Sequence, residues 1–188
     1  MTLPWQETIR LGEVSRPGAG GVVERRLAPD GAARVKLARF LDLERLDSLE
    51  ATLRLTPWFD GARIDGRWTA KITQLCGVSL APLVSDLAGK FVIHLLPLGS
   101  KQAPADPLHE VIIDPDDDND PPDILEGDVI DLAGYVIEHL VLEIDPFPRA
   151  PDAEFTPPEA EPESSPFGKL AQLKAGTKDG TRDGDGQS

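Results

Sequence analysis

Along residues 49–95 apolar and polar side chains alternate almost one for one. Leu49, Ala51, Leu53 and Leu55 share one parity, and Glu50, Thr52 and Arg54 take the other. Asp60-Gly61 follows at an expected hairpin tip, where glycine tolerates a positive φ. Beyond it Ile64, Gly66, Trp68, Ala70 and Ile72, then Cys76, Val78 and Leu80, fall on even positions. Arg63, Asp65, Arg67, Thr69, Lys71 and Thr73 fall on odd ones. A further run over 83–95 sets Leu83, Leu87, Phe91, Ile93 and Leu95 against Lys90 and His94. A period of two is that of a sheet with one dry and one wet face. The second run is longer than the ~5–6 residues of a typical strand, so Gly66 and Gly77 are read as corners where it bends. Residues 5–14 and 22–28 carry weaker strand patterns on either side of a Pro-Gly loop.

Two stretches switch to helical spacing. Asp30 is placed to cap a helix over 31–43, with Ala33, Val35, Leu37, Phe40 and Leu41 inside and Arg34, Lys36, Arg39 and Asp42 outside. Over 130–144 the apolar set is Ala133, Val136, Ile137, Leu140, Val141 and Ile144, widened by Leu132 and Leu142. Asp128 or Asp131 caps its start, and Asp145-Pro146-Phe147-Pro148 ends it. That stripe is broader than the roughly 100° of a surface helix, which predicts cover on more than one side. The expected fold class is α+β: a bent antiparallel β-sheet or partly closed β-barrel packed with these two main helices, in one domain over 1–148.

The rest of the chain is punctuation. Residues 98–126 hold five prolines and the acidic run Asp114 to Asp120, with Val111 to Ile113 as a short strand candidate. They read as exposed, partly disordered loop. A Pro/Glu/Ser linker over 149–164 leads to a short amphipathic helix over 165–174, capped by Ser165-Pro166 and ended by Gly176. Residues 175–188 read as a disordered tail.

Charge divides the chain. Residues 1–100 hold 13 Lys and Arg against 11 Asp and Glu; residues 101–188 hold 6 against 22, which leaves −14 overall. The acidic half is poorly suited to tracking phosphates and suits a cationic partner such as a basic protein. Added solubility explains the same excess. With one cysteine no internal disulfide forms. The opening MTLPWQETIR lacks the basic and apolar regions of a secretory signal, and no apolar run reaches the roughly 18–20 residues of a membrane span. A reducing, cytoplasmic setting is expected, with no membrane.

Candidate chemistry is sparse. Cys76 lies on the dry parity beside Ile72 and Val78 and reads as a buried, inert thiol. His94, His109 and His139 are scattered, so no closed zinc site is expected. The acidic run fails as a calcium loop, with Asn119 at the sixth position and Leu125 at the twelfth. No nucleophile elbow, dinucleotide fingerprint or phosphate loop is present, and no cofactor or metal is expected. Arg63, Arg67 and Lys71 form a basic row on the wet face of one strand: an ordinary solvated face, or a candidate RNA contact. Trp5, Trp58 and Trp68 do not interleave with a basic cluster in sequence.

Three segments together resemble the bacterial YceD family of large ribosomal RNA subunit accumulation proteins. TAKITQLCGVSLAPL (69–83) is similar to its strand ending in C-x-x-C-L-x-P, EGDVIDLAGYVIEHLVL (126–142) to its acidic helix, and SPFGKLAQLK (165–174) to its near-terminal segment. Their order and spacing match over about 49–174. Ser79 replaces the second cysteine, so a metal or redox role for that pair does not carry over to this chain. The resemblance implies a non-enzymatic factor for the accumulation or processing of large-subunit rRNA, and the family is often encoded beside a small basic ribosomal protein. The expected partner is therefore a basic ribosomal protein or the pre-ribosomal large subunit, with no small-molecule substrate. Phe167, Leu170 and Leu173 are the expected docking residues, and Asp116, Asp117, Asp118 and Asp120 the electrostatic lure. A ligand-binding barrel or minor hydrolase is the competing expectation, which requires a polar interior pocket; a direct RNA binder is the third.

Overall fold

The alternation over 49–95 becomes three long antiparallel strands in a computed structural model, which describes residues 3–14, 21–103 and 121–155. In chain order the elements are β1 (Thr8–Arg10), α1 (Leu11–Val14), β2 (Val23–Leu27), α2 (Gly31–Phe40), β3 (Arg45–Trp58), β4 (Gly61–Leu75), β5 (Pro82–Pro97), β6 (Asp123–Leu125), β7 (Val129–Asp131) and α3 (Leu132–Glu143). Met1–Ala153 forms one unit and Glu154–Ser188 another. The expected short helix over 165–174, the acidic run and the strand candidate at Val111 lie outside the described residues.

Five strands form one sheet in the order β2-β3-β4-β5-β6, antiparallel except for the parallel β5–β6 pair. The sheet is open, so the alternative of a partly closed barrel gives way to a mixed α+β layer. β1 and β7 pair separately, Ile9 opposite Ile130. Leu132 and Ala133 also donate their backbone N–H to the Glu7 carbonyl, at 2.8 and 3.2 Å, so the N-terminal strand clasps the start of α3.

The dry face of the sheet, the inner stripe of α3 and part of α2 make a single core. Leu49, Leu53, Leu55, Ile64, Ile72 and Leu95 meet Ala133, Val136, Ile137 and Leu140, with Leu37 and Ala38 from α2. Among the described residues Thr73 alone is a buried polar residue. It was expected on the wet face, but it is covered where Arg45 and Asp47 close over its hydroxyl, each at 3.4 Å. Among the described residues the interior is apolar apart from Thr73, which is not the polar lining a ligand-binding barrel requires.

Glycines make room for aromatic rings in this core. Gly66 lies opposite Phe91, and Gly89 lies opposite Trp68. A Cβ on Gly66 would stand 2.3 Å from the Phe91 ring, and one on Gly89 would stand 2.7 Å from the Trp68 indole. Each ring covers the bare backbone of the facing strand, the same device by which aromatic residues rescue glycine in sheets. Gly66 is therefore no corner: the β4–β5 register passes through it unbroken, and the bulge lies in β3 between Leu46 and Ser48. Neither does Gly61 supply a positive φ at the hairpin tip. Phe59 does so, at 51°.

Both helix caps fall where the sequence places them. Asp30 accepts from the Ala33 N–H at 2.7 Å, and Asp131, not Asp128, accepts from Gly134 at 3.0 Å. The apolar stripes are narrower than expected. Val35 and Phe40 point to solvent from α2, and in α3 Val141 and Leu142 are exposed, Leu142 at 80%. At 100° per residue Val35, Val141 and Leu142 turn away from Leu37 and Leu140; the first turns of α3 are covered by the sheet and by β1, its last turn by the sheet side alone. At the N-terminus the single strand expected over 5–14 is instead β1 followed by the one-turn α1. Residues 123–125, expected in a loop, form β6 along β5.

Candidate binding surface and the cysteine turn

Solvent-facing residues of β2, β3, β4 and β5 come into rows across the sheet. Arg26 pairs with Thr52, Thr52 with Arg67, and Arg67 with Lys90, which sets three exposed cations in a line without an acid between them. The next row holds Glu24, Arg54, Asp65 and Val92, and the one after it Thr56, Arg63 and His94. Between these rows runs a trough of about 630 Å³ lined by Arg54, Arg63, Asp65, Arg67 and Lys90.

Of the basic row expected on β4, the structure keeps Arg63, Arg67 and Lys71 on one face but distinguishes them. Arg63 grips Asp65 through two nitrogens at 2.8 and 3.1 Å. Lys71 pairs with Asp86 at 3.4 Å. Arg67, Lys90, Arg54 and Arg26 form no ion pair among the described residues.

The aromatic end of this face is not among the residues singled out by the alternation. Trp58 shares the parity of Thr52, Arg54 and Thr56, and its ring lies 4.4 Å from that of His94 and 4.6 Å from that of Phe59. Trp58 therefore does not interleave with the cations but closes the end of their face, next to the row of Arg63 and His94. Extending the β3 parity by one more step is the signal that would have found it. Phe59 is 68% exposed and holds a left-handed backbone, which is uncommon for a bulky residue. Burial holds His94 below its ordinary pKa range, and the Arg63 charge adds to the shift while Asp65 opposes it, which favours the uncharged ring.

At the opposite end of the strands the chain leaves β4 in a tight turn at Cys76. The Leu80 N–H returns to the Cys76 carbonyl at 2.9 Å, and Leu80, expected on the dry face, is 71% exposed with φ at 57°. Val78 is half-buried. Cys76 itself is buried, as the sequence predicts, but under the turn and the segment after α3. Its Sγ accepts N–H bonds from Ser79 and Ala150, both at 3.4 Å, while Gly77 donates to the Pro148 carbonyl at 2.8 Å. The Ser79 hydroxyl first, then the Ala150, Ser79 and Val78 amides, pull the thiol down to about 6 against the opposing effect of burial.

Cys76 Sγ thus fastens the segment after α3 to the turn, and with the thiol drawn down to about 6 stability should depend on pH. Above about 6 the folded chain carries a thiolate while the unfolded chain, with a thiol pKa of about 8.5, still binds the proton. Urea midpoints are expected to rise with pH between those values and to level off above them. Cys76→Ala should flatten the rise; an unchanged slope in that variant rejects the thiolate.

No three His, Cys, Asp or Glu side chains converge on a metal-sized site among the described residues. Tyr135 and His139 are engaged in packing. Tyr135 Oη donates to Asp123 at 3.1 Å, and burial with the Asp123 charge pushes its pKa up. The His139 ring stacks on Phe91 at 4.1 Å. Asp116, Asp117, Asp118 and Asp120, like Phe167, Leu170 and Leu173, lie outside the described residues.

The sequence model of one protein family, described as large ribosomal RNA subunit accumulation protein YceD, matches residues 64–174. No match was found among curated proteins or among solved structures.

Proposed function

This chain belongs to the YceD family of large ribosomal RNA subunit accumulation proteins, and from that membership we propose that it is a non-enzymatic, cytoplasmic assembly factor acting by binding. The observation that carries the reading is the extent of the match, which runs from β4 through α3 into the near-terminal segment. The open trough on the sheet supports it, since a shallow charged face receives a surface where an enclosed pocket receives a small molecule. No helix among the described residues is long and apolar enough to cross a membrane.

The partner is the pre-ribosomal large subunit or one of its basic proteins. Its support is the net −16 of residues 101–188, which draws a cationic protein by steering and complementarity. Within that half, Asp116, Asp117, Asp118 and Asp120 provide the attraction and Phe167, Leu170 and Leu173 the apolar anchor. Depletion should lower the large-subunit peak and its rRNA on a sedimentation gradient, with the tagged protein co-sedimenting with precursor particles. Normal large-subunit levels, with no ribosomal component recovered on the tagged protein, reject the assembly reading.

A further inference from the structure

We propose that the solvent face of the sheet binds a single strand of RNA, with phosphates on Arg26, Arg54, Arg67 and Lys90 and a base stacked against Trp58 and Phe59. The inference rests on the assembly reading for the choice of RNA, while the surface itself is argued from its own geometry.

Arg67 and Lys90 stand directly opposite each other in adjacent strands. Like charges so placed destabilise a sheet, and neither residue has an acidic partner to relieve it among the described residues. Arg26 extends the line by two more strands, so at ~4.8 Å per strand the three cations span about 14 Å. Two acids stand opposite Arg54: Asp65 is already committed to Arg63, and Glu24 on β2 offsets one positive charge, so Arg26, Arg67 and Lys90 remain in excess. What is left over is positive, concave and wet, inside a chain whose overall charge is −14. Attraction must therefore be local, felt within a Debye length of about 8–10 Å.

Trp58 and Phe59 make this more than a solvated face. Three rows separate Trp58 from the Arg67 row, about 20 Å at ~3.3 Å per residue, which suits a site at the short end of the 4–16 nucleotides typical of sheet platforms. Aromatic faces beside a cationic groove are how proteins hold unpaired bases. The exposed Phe59 ring is presented from a strained backbone, and such strain gathers at ligand-binding positions. An acidic peptide would be served by the cations alone and has no use for the rings.

The test is anisotropy of a fluorescent oligouridylate titrated with the full chain between about 50 and 200 mM salt. Affinity is expected to fall with salt, and the triple variant Arg54→Ala, Arg67→Ala, Lys90→Ala should make the logarithmic slope shallower by about 2. Trp58→Ala should weaken binding by about 5–100-fold without changing the slope, and Trp58→Phe should retain most of it. A duplex of the same length should bind more weakly. Thermal melts of the variants guard against misfolding, and if Trp58→Ala does not fold, the triple variant and Trp58→Phe decide. No binding at low salt, parental binding by the triple variant, equal affinity for duplex, or a stronger response to an acidic peptide each overturns the proposal. If the triple variant restores large-subunit levels in depleted cells, the RNA surface fails while the assembly reading stands. If the oligonucleotide binds as expected but depletion leaves the subunit intact, the assembly reading fails instead.

Discussion

Leu140→Ala should cost about 2–5 kcal/mol of unfolding free energy, while Leu142→Ala two residues later should stay within about 0.5 kcal/mol of the parent. Leu140 is fully buried in the stripe of α3 that faces the sheet, and Leu142 is 80% exposed. Truncating Leu140 removes its transfer energy and leaves a cavity between helix and strands that close packing does not refill. Against a total of about 5–15 kcal/mol, that loss shifts a urea midpoint visibly. Equal losses for both variants would mean that the last turn of α3 is covered on two sides in solution.

A substitution that adds one methyl group should do comparable harm. Gly61→Ala places a Cβ 1.8 Å from the Leu95 carbonyl oxygen and 3.1 Å from Leu96 Cα. The obstruction is backbone, so no rotamer change relieves it. β5 is also pinned from the other side, where Leu95 and Leu96 pair with Asp123 and Ile124 of β6. Overpacking of this kind costs about 1–3 kcal/mol, read as a lower urea midpoint by tryptophan fluorescence. Gly12→Ala is the control: nothing lies within 4 Å of its added Cβ, and removing a helical glycine is neutral or favourable. An unchanged midpoint for Gly61→Ala would show that the hairpin and β5 are further apart than described.

What could be read beforehand follows from how far each signal extends. The strands β3 to β5 show themselves because one side is wet and the other dry, and both helix starts because an aspartate precedes the apolar stripe. Elements of three residues such as β6 contain too little sequence to establish a period. Parity also cannot tell where a chain leaves its sheet, which is why Val78 and Leu80 were expected inside although the turn begins at Cys76. The binding face is a property of register. Arg67 meets Lys90, and Trp58 reaches His94, only because the lengths of two connections set residues far apart in sequence side by side.

The pairing of Thr8–Arg10 with Val129–Asp131 has a consequence for synthesis. A nascent chain must wait for some 120 further residues before its first strand finds a mate, about 6–25 s at ordinary ribosomal speed. Ile9, buried in the finished protein opposite Ile130, lacks that partner throughout the interval and is open to chaperones. Translation rate and early helpers, as much as sequence, then govern how much of the product matures.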